Sequence, residues 1–151
     1  MITVVMSTSI EADRERVWRA LTEPSELVVW DEERISPVDA PDGYPFAGQH
    51  IRWRVRLGSV PMVMHERPQV VSRLDRIQSS LTLGTMRLEQ TYTLVEEPVG
   101  SARTRLSMKL ATSNEVPVIG AIIDRFSVRR IASERIDATL RSIQSWCENT
   151  P

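Results

Sequence analysis

The chain has 151 residues, with 19 Lys and Arg against 20 Asp and Glu, a formal net charge of −1, and 41% hydrophobic and 26% charged residues. That length and balance predict one soluble domain, able to bury about 70% of its unfolded surface around a core without disulfides or structural metal, and exclude disorder as the main state. Near-zero charge supplies no general attraction to phosphate backbones or anionic lipid, so neither nucleic-acid binding nor polybasic membrane attachment is expected.

Residues 2 to 10 alternate, with Ile2, Val4, Met6, Thr8 and Ile10 on one side and Val5 as the exception, which predicts a half-buried strand. At Asp13 the period changes: an N-cap candidate precedes Glu15, and Val17, Trp18, Ala20 and Leu21 recur at helical spacing until Pro24. Ser25 is the expected cap of a second short helix through Leu27, Val28, Val29 and Trp30. An extended stretch at 34–38 follows. Then Pro41-Asp42-Gly43-Tyr44-Pro45-Phe46-Ala47-Gly48 collects turn formers and two aromatics, the composition of an ordered surface loop beside a ligand site.

The clearest alternation comes next: Ile51, Trp53, Val55 and Leu57 face one way and Arg52, Arg54 and Arg56 the other, predicting one buried and one wet face. The arginine row is read as a solvated face compensated by neighbouring acids, not as a nucleic-acid surface. Further strands are expected at 62–71, 74–83, 85–95 and 102–112, with Gly58, Gly84 and Gly100 near the turns of an antiparallel meander. Inward positions read Met86, Leu88, Gln90, Tyr92 and Leu94 in one strand, and Thr104, Leu106, Met108 and Leu110 in the last. Ile119, Ile122, Ile123, Phe126, Ile136, Leu140 and Ile143 then hold a helical stripe with no Pro or Gly after Gly120, predicting a long C-terminal helix lying on the sheet. No repeat, low-complexity stretch or linker interrupts residues 1 to 151, and the order of elements is α+β.

This order and spacing resemble the SRPBCC or START-like superfamily, the helix-grip fold of pollen allergens, lipid-transfer domains and polyketide cyclase/dehydrase-type proteins. The resemblance covers nearly the whole chain. Its carriers are Ile10-Glu11-Ala12-Asp13-Arg14-Glu15-Arg16-Val17-Trp18, Trp30-Asp31, Gly48 opening the Trp53 strand, His65-Glu66-Arg67-Pro68, and Leu140 to Trp146. It implies a curved antiparallel sheet of about six or seven strands wrapped around the long helix. It also implies a cavity between them for an apolar or amphipathic molecule such as a polyketide, isoprenoid or lipid. Fold alone leaves open whether such a protein carries, senses, catalyses or serves as an adaptor through its surface.

Individual residues sharpen these alternatives. Arg129 projects near the centre of the helical stripe, where a cation would select an anionic ligand, or turns to the rim with its stem packed; Arg130 is its rival. Ser133, one turn on, is a hydrogen-bonding or packing candidate. Val63 and His65 share one face of their strand and Met62 and Met64 the other, and the pattern leaves open which pair points inward. An inward His65 or Glu66 is a general acid/base candidate, with Arg129 and Tyr92 as further catalytic candidates in a cyclase-like reaction. Gln90 and Tyr92 are placed to orient a carbonyl or hydroxyl, or to satisfy each other or a buried water. Trp30 and Trp53 offer flat apolar surface or plain core. Tyr44 and Phe46 on the loop are gate candidates, and Met64, Met86, Met108 and Phe126 complete the expected ligand-contacting set. Trp18 and Trp146 are assigned to packing.

The chain carries no Gly-x-Ser-x-Gly, no phosphate-cradling Gly-rich loop and no His-x-x-x-His or Cys-x-x-Cys, so neither metal nor cofactor is expected. The single cysteine, Cys147, allows no internal disulfide and falls at the expected frayed end of the helix. Met1 leads into Ile2-Thr3-Val4-Val5-Met6 without a basic or signal-type segment, and the expected setting is reduced and cytoplasmic. The longest apolar run, Val116 to Ile123, falls far short of the roughly 18 residues a membrane span needs.

Overall fold

The computed structural model describes residues 1–39, 42–112 and 125–151, with side chains of the last helix described from residue 128. Its elements are β1 (Ile2–Ile10), α1 (Arg14–Thr22), α2 (Pro24–Trp30), β2 (Arg34–Pro37), β3 (Ile51–Leu57), β4 (Val60–Ser72), β5 (Arg76–Leu83), β6 (Met86–Glu96), β7 (Thr104–Thr112) and α3 (Arg125–Asn149). The strands form one seven-stranded antiparallel sheet in the order β1-β7-β6-β5-β4-β3-β2. From β2 onward it is a meander, and β1 closes against the last strand with Ile2 opposite Thr112 and Ile10 opposite Thr104. This is the α+β architecture that the order of elements predicts, and the helix-grip arrangement that the resemblance implies. Phe126 lies in α3 with its side chain outside the described set, and Ile119, Ile122 and Ile123 lie outside the described residues.

Turn chemistry sets the register. Gly58 and Gly84 open two-residue connections with φ of 62° each, positions where an L side chain is strained and where the tight β3–β4 and β5–β6 hairpins require positive φ. The β4–β5 turn differs from expectation. Leu74 adopts φ 65°, Asp75 N–H donates to Ser72 O at 2.9 Å, and β5 begins at Arg76 instead of 74. No Gly or Asn marks that turn, so strand alternation ran through it.

The helices follow local signals. The Asp13 carboxylate accepts from Arg16 N–H at 2.8 Å and caps α1. α2 begins at Pro24, not after Ser25: proline's fixed φ suits a first helical position, where its missing N–H costs nothing. Arg16 reaches across to Glu26 at 2.8 Å, Glu26 accepts from Trp146 Nε1 at 2.7 Å, and Arg16 Nε donates to Thr150 O at 2.8 Å. α1, α2 and the end of α3 are thereby tied together. The C-terminal turn is consequently held and not frayed, and Cys147 is 5% exposed within the core, where burial pushes its thiol up to about 11.

α3 runs chiefly along β1. Its core line steps through Val128, Ala132, Ile136, Leu140 and Ile143, in one core cluster with Ile2, Val4, Leu106 and Leu110 of the sheet. No helix among the described residues is long and apolar enough to cross a membrane.

Candidate functional site

Between the inner sheet face and α3 lies a cavity of about 630 Å³. Alternation of β6 delivers Met86, Leu88, Gln90 and Tyr92 to its wall, as the period-two pattern predicts, and Met108 and Leu110 continue it on β7. On β4 the orientation left open by the sequence resolves with Met64 lining the cavity and Glu66 buried on the same strand face. Trp30, at the end of α2, also lines it, its indole anchored by donation to Ala20 O at 2.8 Å. From α3 come Val128 and Ala132 of the core line and, beside it, Arg135, Thr139 and Ser142, where small and polar residues leave room.

Six of the expected ligand-contacting residues therefore share one chamber: Trp30, Met64, Met86, Gln90, Tyr92 and Met108. Tyr44, Phe46, Trp53, Arg129 and Ser133 lie elsewhere. Arg129 is exposed and Ser133 Oγ donates to Arg129 O at 2.8 Å within the helix. Steps of four from Val128 carry the core line past both of them, so neither lines the cavity. His65 sits on the opposite face of β4, where its Nδ1 meets Nε2 of His50 at 2.7 Å with the rings stacked. Burial, then Arg67, His65 and Arg52, lower the His50 pKa. Phe46 is 51% exposed and lines no part of the chamber. The arginine row is exposed as expected, with Arg52 paired to Asp39 and Arg54 donating to Ser36 Oγ and Pro37 O.

Behind the cavity wall is a polar knot centred on Glu66. Its carboxylate accepts from Tyr44 Oη at 2.9 Å, Trp53 Nε1 at 2.9 Å and Ser79 Oγ at 2.8 Å. Burial, then the charge of Glu66, raise the Tyr44 pKa well above that of an ordinary phenol, leaving it a fixed donor at neutral pH. Tyr44 also packs edge-on against Trp53, centroids 5.6 Å apart. Tyr44, Trp53 and Glu66 thus join the loop to the sheet instead of facing the chamber.

Arg34 connects knot and cavity. It lines the chamber, its Cζ lies 4.4 Å from the Trp53 ring centroid, and its Nε contacts Asp31 Oδ2 at 3.3 Å. Burial opposes its charge, but Asp31 and then Glu66 outweigh it and raise the guanidinium pKa further. Farther out, Arg135 Nη1 donates to Glu33 Oε1 at 2.9 Å, and its Nη2 donates to Oε2, joining α3 to the segment after α2 at the cavity rim. Local sequence does not single out Arg34, Asp31, Glu33 or Arg135 as site residues. A four-residue edge strand shows too little alternation to orient Arg34, and Arg135 stands one position from the apolar line. Among the described residues no group of three or more His, Cys, Asp or Glu is placed to hold a metal.

No family model matches the chain, and no curated protein does. Solved structures match over its full extent. A START superfamily protein from Mycobacterium smegmatis aligns at TM-score 0.77 and 18% identity over 97% of each chain. TTHA0849 from Thermus thermophilus aligns at 0.71 and 19%, again over 97% of each. Ara h 8.0201 aligns at 0.67 and 10% over 99% of each. At such identities the shared property is the fold, and that fold is START-like.

Proposed function

We propose that the cavity between sheet and α3 binds a hydrophobic or amphipathic small molecule of polyketide, isoprenoid or lipid type. The observation carrying this reading is a chamber of about 630 Å³ walled mainly by Met64, Leu81, Met86, Met108, Leu110 and Trp30. That volume falls in the range of small-molecule sites, and flexible thioethers adapt to varied apolar shapes. On the sheet wall Gln90 and Tyr92 supply polar contacts that fix orientation.

A cyclase-like enzyme needs at least two proton-moving side chains converging on one locus. Of His65, Glu66, Arg129 and Tyr92, Tyr92 alone lines the chamber, the Glu66 oxygens are already taken by three side-chain donors, and the acids that do line it are paired or exposed: Asp31 with Arg34, Glu33 with Arg135, and Glu32 and Glu134 open to solvent. Binding is therefore favoured over catalysis, and an open chamber over the filled interior of a surface adaptor. Native mass spectrometry of freshly purified protein, followed by extraction, tests the reading. A stoichiometric apolar adduct is expected; a protein that stays empty after challenge with lipid and polyketide panels contradicts it.

A further inference from the structure

We infer that the cavity selects an uncharged ligand bearing an oxygen acceptor, a ketone or ester carbonyl above all, and discriminates against carboxylates and other anions. The inference rests on the binding reading above and narrows its ligand class.

The donors come first. Arg34 is 9% exposed and lines the chamber, and its Nη1 is buried with no hydrogen-bond partner among the described residues. Tyr92 shares that wall, close enough for the charges of Asp31 and Arg34 to act on it. Burial, then Asp31, raise its pKa, so the hydroxyl stays protonated near neutral pH. Arg34 Nη1 itself is enclosed by protein, so the donor open to the chamber is the Tyr92 hydroxyl, which has no hydrogen-bond partner among the described residues; such a donor is costly against a hydrocarbon and is satisfied by an acceptor oxygen.

Charge then decides which acceptor. Asp31 at 3.3 Å and Glu66 nearby already offset the one guanidinium of Arg34. The remaining charged lining adds Glu32, Glu33 and Glu134 against Arg135 alone. A carboxylate entering this site brings a further anion to a region where acids outnumber bases, and loses its hydration in doing so. A carbonyl accepts the same hydrogen bonds without either cost.

The test uses chain-matched probes displacing the neutral fluorophore N-phenyl-1-naphthylamine at pH 8: 2-tridecanone and dodecanoate, both below micellar concentrations. Wild type is expected to prefer the ketone by about tenfold or more. Tyr92→Phe, which removes the hydroxyl donor and no charge, should weaken the ketone several-fold, and unchanged ketone binding would overturn the donor assignment. Asp31→Asn, which keeps Arg34, should strengthen dodecanoate several-fold and narrow the gap, and an unchanged gap would overturn the charge argument. Dodecanoate binding as well as or better than the ketone in wild type overturns the inference while leaving the cavity reading intact. Failure to take up the fluorophore or either probe removes the cavity reading, and this inference with it.

Discussion

The indole Nε1 of Trp53 donates to Oε1 of Glu66 at 2.9 Å, with the tryptophan 0% and the glutamate 4% exposed. The pair explains why an acidic residue tolerates the inside of β4: Tyr44 and Ser79 donate to it as well, so the carboxylate exchanges water for three protein donors. Glu66 is accordingly the anchor of the Tyr44 loop. Glu66→Gln keeps shape and places an NH2 among those donors. It is expected to lower unfolding free energy by about 1–3 kcal/mol, measured by urea denaturation. A variant as stable as wild type would contradict the anchoring role.

Glu26 provides a pH signature. Burial raises its pKa, but hydrogen bonds from Trp146 and Arg16 and the charges of Arg16 and Arg19 outweigh that, leaving the folded-state value below 4.5. A depressed carboxylate contributes stability that is fully present above the unfolded pKa and is lost as pH falls through the folded one. Glu26→Gln should therefore be less stable than wild type at pH 7, and the difference should shrink below about pH 4. Denaturation curves at several pH values check this; a gap that widens in acid refutes it.

Arg135 and Glu33 join α3 to the α2–β2 segment at the cavity rim, and both are partly exposed. An exposed ion pair is worth at most about 1 kcal/mol, so Arg135→Ala should leave global stability nearly unchanged. Ligand release, by contrast, should quicken several-fold if this pair restrains the rim. Stopped-flow displacement measures the release rate directly, and equal rates in the two proteins would show that the rim opens elsewhere.

Where periodicity is strong, the sequence reveals the fold: β1, β3, β6 and β7 alternate cleanly, and Gly58 and Gly84 mark the hairpins they turn. The chamber is half legible by the same logic, since Met86, Gln90, Tyr92 and Met108 follow from strand parity alone. Three things escape it. Leu74 turns without a turn residue. On α3, Arg129 stands seven residues before Ile136 and so shares its face by heptad spacing, whereas four-residue steps through Val128 and Ala132 reach Ile136 along another line, and only packing on β1 chooses between them. Finally, Asp31 is a local partner three residues before Arg34, but the charge of Glu66 reaches Arg34 from β4, and proximity across a sheet is not written in local spacing.

The proposed apolar ligand occupies the chamber under α3. The most direct measurement titrates N-phenyl-1-naphthylamine into wild type and into Ala132→Trp, which fills the chamber from a position already lining it. The account predicts saturable uptake by wild type and at least about tenfold weaker binding by the variant, with the variant still folding cooperatively. Equal binding by both proteins would place the ligand outside the chamber and contradict the account.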